Sequence, residues 1–234
     1  FNTNGYVIET SITGTNAGYD MLLNGTALAV AGVTGATNTP TVINYNATSG
    51  ARSTVIGQSG LQQFSNFGTG IMYGIQTTTG TKRYGAGQAT STAFVRLLND
   101  TAGILQDTAS PFNTGANGLL YTTTLTQAGN LLVGGQYGTT WEVVSYTPAA
   151  ARVGAFGTNG IAAAPSGFNA GRVRAIAVDS VGRIIATGAT INASPEMFTT
   201  VRYNSAGTSS TTGRETTFGV GSGMGIYINE DNTF

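Results

Sequence analysis

Apolar and polar residues alternate over short stretches of this chain, and clusters of glycine, asparagine, serine and threonine separate the stretches. No window keeps apolar residues at the i, i+3, i+4 and i+7 positions that one face of a helix requires. Runs such as 41–45 and 142–146 are instead rich in β-branched and aromatic residues and stop at turn-forming residues. The pattern therefore predicts short β-strands joined by tight turns.

The predicted strands recur in a fixed order, about every 45–60 residues. Each copy has an apolar strand, a second strand that ends in glycine, a third strand that runs into a turn, and an aromatic or aliphatic residue before a Gly-rich turn. The apolar strands lie at 20–23, 71–75, 119–121 and 173–178, the glycine-ended strands at 28–32, 83–87, 131–135 and 183–188, and the third strands at 41–45, 93–97, 142–146 and 200–203.

Four short strands in each unit are what one blade of a β-propeller contains, and kelch-type repeats have a similar period of roughly 50 residues. A four-stranded sheet cannot bury both of its faces alone, so such units occur in series and stack. The sequence predicts an all-β fold, a β-propeller or a propeller-like array of four-stranded blades with about 50–55 residues per repeat.

The fourth copy has the most regular sequence, in the segments 175–188, 198–207 and 217–223. It resembles the delta-60 repeat family, whose pattern is an apolar strand, an Asp-Gly-Lys/Arg turn, a strand ending in Ala-Gly, an Arg-Tyr-Asn strand and a closing Phe-Gly. Here the turn reads Asp179-Ser180-Val181-Gly182. The resemblance is strongest in residues 173–223 and implies propeller-like repeats, found mostly in large surface or secreted proteins. It brings no common catalytic residues.

One repeat domain is expected over residues 1–234, with approximate repeats at 1–55, 56–111, 112–155 and 156–217 and a partial repeat at 218–234. Two readings remain open for the partial repeat. Its strands either complete the first blade and close a small ring, or they belong to a longer repeat array of which this chain is a slice. The slice is the favoured expectation.

Composition excludes several kinds of site. The chain has no cysteine and no histidine, so it lacks disulfides, thiol nucleophiles, Ser-His-Asp triads and His-ligated zinc. Ten basic and ten acidic residues give zero net charge, so the sequence lacks the excess of basic residues that nucleic-acid binding requires. No apolar run approaches the ~20 residues of a membrane helix. No cofactor is expected, and nothing indicates an assembled active site, so the protein is not expected to be an enzyme.

Four asparagines stand in Asn-x-Ser/Thr sequons: Asn24, Asn46, Asn99 and Asn192. They are acceptors for glycosylation if the chain passes through a glycosylating compartment. The alternative is turn chemistry, because asparagine tolerates left-handed backbone and hydrogen-bonds its own turn. The sequence favours the turn interpretation.

Aromatic residues concentrate in the third repeat, where Trp141, Tyr121, Tyr137 and Tyr146 are candidates for stacking on a sugar ring. Core and edge packing is the simpler interpretation of the same residues.

Two further clusters have chemical alternatives. Arg172 and Arg174 alternate with Val173, and Lys82 adjoins Arg83, so either pair could hold an anion. A solvated rim is the favoured interpretation of both pairs. Glu230 and Asp231, flanked by Asn229 and Asn232, offer oxygens for calcium. That cluster lacks the spacing of a dedicated loop, so a solvated turn is favoured.

The function expected from the sequence is a non-catalytic structural or adhesive repeat protein in an extracellular, cell-surface or particle-surface assembly. Its partners would be other proteins or copies of itself, because low charge brings little repulsion between copies. The alternative is a carbohydrate-binding propeller module. An enzyme that uses carboxylates or a metal is the third reading.

Overall fold

The computed structural model describes residues 12–53, 60–65, 68–77, 82–90, 92–99, 103–109, 118–164, 170–190 and 197–209. The regular elements in these ranges are fifteen β-strands. The chain divides into two compact units, Phe1–Ala109 (unit 1) and Ser110–Phe234 (unit 2).

Unit 1 contains two antiparallel sheets, each with four strands hydrogen-bonded in chain order. The first sheet consists of β1 (Ala17–Asn24), β2 (Ala27–Thr34), β3 (Thr39–Asn46) and β4 (Leu61–Gln63). The second sheet consists of β5 (Gly70–Thr77), β6 (Lys82–Ala89), β7 (Thr92–Asn99) and β8 (Gly103–Ala109).

Unit 2 repeats this plan. The third sheet consists of β9 (Gly118–Leu125), β10 (Leu131–Tyr137), β11 (Thr140–Tyr146) and β12 (Ile161–Ala163). The described strands of the fourth sheet are β13 (Gly171–Val178), β14 (Ile184–Thr190) and β15 (Met197–Tyr203). The predicted all-β, propeller-like series of small antiparallel sheets is confirmed.

The repeat boundaries expected from the sequence differ from the sheets in two places. The short strand β4 lies beyond residue 55 yet pairs with β3, and β12 lies beyond residue 155 yet pairs with β11. Each of these strands follows a long connection, and its three residues are too few to show an alternating pattern in the sequence.

Tight two-residue loops join β1 to β2 and β10 to β11. Asn24 pairs with Ala27 across Gly25-Thr26, and Tyr137 pairs with Thr140 across Gly138-Thr139. The φ angles of Gly25 and Gly138 are 58° and 57°, the left-handed region that the twist of such a hairpin requires.

The core of each unit lies where the first strand of one sheet packs on the face of the preceding sheet. In unit 1, β5 packs against β1, β2 and β3, and the buried residues Ala31, Val42, Met72 and Ile75 meet there. In unit 2, β13 packs against β9, β10 and β11, and Trp141, Val143, Val173 and Ile176 are buried together.

The first strand of every sheet contains a β-bulge, and a glycine of the second strand lies opposite it. The register shifts pass over one residue in each case: Tyr19, Tyr73, Tyr121 and Arg174. A Cβ atom on the facing glycine would overlap a backbone carbonyl oxygen of the bulged strand, that of Ala17, Ile71, Leu119 or Arg172. The four glycines are Gly32, Gly87, Gly135 and Gly188. The sequence predicted that the second strands end at these glycines, but each strand continues for two more residues. Glycine stands at these positions because the bulge leaves no room for a side chain.

We expect Gly135→Ala to lower the free energy of unfolding by about 2–3 kcal/mol, because the new methyl group must push the backbone of β9 away. Gly154→Ala is the matched control in the same unit, since a Cβ atom there meets nothing within 4 Å. Urea unfolding of both variants measures the difference. Equal stability of the two variants would contradict this account of the bulge.

Candidate functional site

In each sheet, the bulge leaves one residue that has no partner in the strand register, so its side chain does not follow the regular alternation. An extra residue in one strand breaks the register and re-aims a side chain, which is why bulges recur beside functional sites. The four bulge residues, Tyr19, Tyr73, Tyr121 and Arg174, are half-buried or exposed, whereas several of their neighbours in the same strands are buried. We call these four positions the bulge residues.

In unit 1 the two bulge residues contact each other. The ring centroids of Tyr19 and Tyr73 are 5.1 Å apart, and the ring planes meet at 71°, an edge-to-face arrangement. Tyr19 is 50% exposed, so one side of this pair faces solvent.

Asp20 follows the bulge of β1 and ties it to the next sheet. Its Oδ1 accepts a hydrogen bond from the Met21 amide and its Oδ2 accepts one from the Ile75 amide, both at 2.9 Å. Burial raises the pKa of Asp20, although the two amide donors favour the charged carboxylate and oppose the shift.

In unit 2 the two bulge residues form a cation–π pair. The guanidinium carbon of Arg174 lies 4.1 Å from the ring centroid of Tyr121. The Arg174 Nε atom is buried, and no hydrogen-bond acceptor reaches it among the described residues. No carboxylate in that part of the chain forms an ion pair with Arg174.

The strand β13 holds its two arginines apart from the core by burying the residue between them. Val173 packs on the third sheet, where a Cβ atom on Gly134 would approach the Val173 Cγ1 atom to 2.6 Å. Arg172 and Arg174 flank this anchor and are half-buried. The sequence favoured a solvated rim for these two arginines, and the structure places Arg174 against Tyr121 instead.

Arg183, in the same sheet, has a different environment. Its Nε atom donates to Asp179, whose Oδ1 also accepts the amides of Val181 at 3.1 Å and Arg183 at 2.8 Å. Burial alone would raise the pKa of Asp179, but the hydrogen bonds and charge of Arg183 outweigh it and hold that pKa below 3.8. Arg183 is thus committed to the Asp179 turn, and Arg174 is not.

The aromatic residues predicted to stack on a sugar lie in different surroundings. Trp141 is fully buried, and its indole N–H donates to the Tyr203 hydroxyl at 2.9 Å. Tyr146 is 1% exposed, and Tyr137 is half-buried at the end of β10. Only Tyr121 lies at the bulge site, and the four do not form one platform.

The predicted sequon asparagines are also separated. Asn24 is exposed at the end of β1, and Asn99 ends β7. The Asn46 Oδ1 atom accepts the amides of Thr48 and Ser49, as a turn residue does. Asn192 lies outside the described residues, and glycosylation stays a prediction.

The calcium candidates Asn229, Glu230, Asp231 and Asn232 lie outside the described residues, and so does the side chain of Lys82. The described residues contain no group of three or more acidic side chains that could hold a metal ion.

Unit 2 also contains a cavity of about 420 Å³ between turns of the third and fourth sheets. Gln127 spans one wall, where its Nε2 atom donates to the carbonyl oxygens of Asp179 and Ser180. Among the described residues, no charged side chain lines this cavity.

Sequence reasoning missed Tyr19 and Tyr73 as site residues. The signal for them is positional: each bulge residue precedes the facing glycine of the second strand by 13 or 14 residues. The offset can be interpreted only when the structure has shown that the bulge and the glycine face each other.

No protein-family model and no curated protein sequence matches the chain. Among solved structures, the chain is similar to a protein from Bacteroides fragilis that is named as a candidate 6-phosphogluconolactonase. The two share 11% sequence identity and a TM-score of 0.42, over 92% of this chain and 74% of that one.

This comparison contradicts the prediction of a non-catalytic structural or adhesive protein, because the similar structure is named for an enzyme. At this TM-score the likeness assigns no activity to the present chain. The separate expectation that the chain is not an enzyme stays a prediction. None of the described segments forms a helix with the length and hydrophobicity that crossing a bilayer requires.

Glu142 is a buried acid whose protonation couples to stability. The residue is 8% exposed, its Oε2 atom has no hydrogen-bond partner among the described residues, and burial raises its pKa to about 7 despite the nearby charge of Arg152. Tyr146, on the same face of β11, likewise has its pKa raised to about 12 by burial. The protonation state of a buried group such as Glu142 therefore affects the stability of the fold.

Because the pKa of Glu142 is about 7 in the folded chain and 4.5 ordinarily, folding favours its neutral form. That contribution is fully present below pH 4.5 and is lost as the pH rises through about 7. We expect Glu142→Gln to match the wild type at pH 4 and to exceed its stability by up to about 3 kcal/mol at pH 8.5. Urea unfolding across this range tests it, and parallel pH profiles for the two proteins would contradict it.

Proposed function

We propose that the protein binds a small oxyanion, the carboxylate or phosphate group of a low-molecular-weight ligand, at Arg174 and Tyr121. The observation that carries the proposal is the Arg174 guanidinium, set out of the sheet by the bulge and stacked on Tyr121 without a carboxylate partner among the described residues.

Because one face of the Arg174 guanidinium is stacked on Tyr121, its edge is the part that can donate hydrogen bonds to a ligand. Arginine presents its N–H donors in a rigid plane that matches the two oxygens of a carboxylate or phosphate. Tyr121 fixes that plane in advance, so less conformational entropy is lost when the anion binds.

The partial burial of Arg174 makes an incoming acceptor favourable, because a charged hydrogen bond is stronger where water is partly excluded. Its Nε atom is buried without an acceptor among the described residues, so an anion would contact the two terminal nitrogens of the guanidinium. Arg172, two residues earlier in the same strand, adds a second positive charge near the site.

A titration with inorganic phosphate and with acetate tests the proposal, followed through the Arg174 Nε–H resonance by NMR. We expect Arg174→Gln to weaken binding about tenfold or more, because hydrogen bonds to charged groups are among the stronger ones. Arg174→Lys should restore binding only in part, since lysine lacks the planar fork.

Arg202→Gln is the matched control, since Arg202 lies on β15 of the same sheet and is also half-buried. Calorimetry compares both variants with the wild type. Unchanged affinity of Arg174→Gln, or an equal loss in Arg202→Gln, would exclude Arg174 as the anion site.

We also propose that the repeats of this chain are related to the delta-60 family. The Asp179 turn supports it, since Asp179 accepts two amides of its own turn and pairs with Arg183 where the family has Asp-Gly-Lys/Arg. The extracellular or surface location and the protein partners expected from the sequence stay predictions.

A further inference from the structure

The tyrosine pair of unit 1 lies at the positions that Tyr121 and Arg174 hold in unit 2. In unit 2 the second bulge residue is a cation that stacks on the tyrosine of the first. In unit 1 the second bulge residue is Tyr73, and the pair contains two rings and no positive charge. Unit 2 therefore shows that this strand geometry brings a cation onto a tyrosine face.

A negatively charged residue, Asp20, lies next to the tyrosine pair, and a negative charge attracts a cation. The residue after the bulge is Asp20 in the first sheet, and Gly74, Thr122 and Ala175 in the other three. The Asp20 carboxyl bridges β1 to the Ile75 amide of β5, so it lies between the two strands that carry the rings. No lysine or arginine pairs with it in the described part of the chain.

We propose that Tyr19, Tyr73 and Asp20 form a binding site for an organic ammonium group, of the methylated kind. Both carboxylate oxygens of Asp20 already accept a backbone amide. What the site chiefly offers a ligand is therefore negative charge and aromatic faces. Those are the features that recognise a quaternary ammonium group, which has no hydrogen to donate.

The exposure of Tyr19 gives the ligand access. With half of this residue in solvent, a methylated ammonium group reaches the open ring without displacing the packing around Met72 and Ile75, which are fully buried. The site lies in unit 1 and uses none of the residues assigned to the oxyanion site, so either proposal stands without the other.

Tetramethylammonium chloride is the probe, and tert-butanol is the uncharged control of similar size. Binding is followed by the ring-current shift of the probe's methyl protons and by the tyrosine ring resonances. We expect tetramethylammonium to bind and tert-butanol to leave these resonances unmoved, because the attraction depends on the charge.

Tyr19→Leu should weaken tetramethylammonium binding about fivefold to tenfold, and Asp20→Asn should weaken it as well while keeping an oxygen for the Ile75 amide. Tyr137→Leu is the control in unit 2 and should bind the probe as the wild type does. Circular dichroism confirms that each variant is folded.

Equal binding of tetramethylammonium and tert-butanol would overturn the proposal, and so would the absence of any shift at ~100 mM probe, well above the range of a weak specific site. Unchanged affinity in both Tyr19→Leu and Asp20→Asn would overturn it too. An equal loss in Tyr137→Leu would place the probe elsewhere, with the same consequence.

Discussion

The structure depends on the absence of a side chain at one position of each second strand. Opposite Gly32, Gly87, Gly135 and Gly188 a backbone carbonyl of the bulged strand occupies the space that a Cβ atom would need. The close approach keeps the bulge within a hydrogen-bonded pair of strands. Without it, the first strand would follow the regular alternation, and no residue would be released from the register.

The released residue and its neighbours have separate tasks. In β13, Val173 is buried in the core of unit 2 while Arg174 stacks on Tyr121. In β1, Asp20 hydrogen-bonds the next sheet while Tyr19 contacts Tyr73. Packing and chemistry therefore occur side by side on one strand.

Sequence periodicity was sufficient for the first three strands of each sheet and for their order, because alternation and turn residues report directly on β-structure. It also marked the glycine of each second strand, although each strand continues two residues beyond it. It could not supply β4 and β12, whose three residues are too short for a pattern. It could not distinguish Trp141, buried and bonded to Tyr203, from Tyr121, half-exposed at a bulge, since both are aromatic residues of one repeat.

The bulge has a consequence for how such a protein diversifies. A residue that takes no part in the strand register is free to change its chemical type, and the series Tyr19, Tyr73, Tyr121 and Arg174 shows two types on one backbone plan. A single codon change at such a position alters recognition while the hydrogen-bonded sheet is kept. Duplication of the repeat followed by substitution there is a short evolutionary route to new ligands, and the same position is a natural choice for library design.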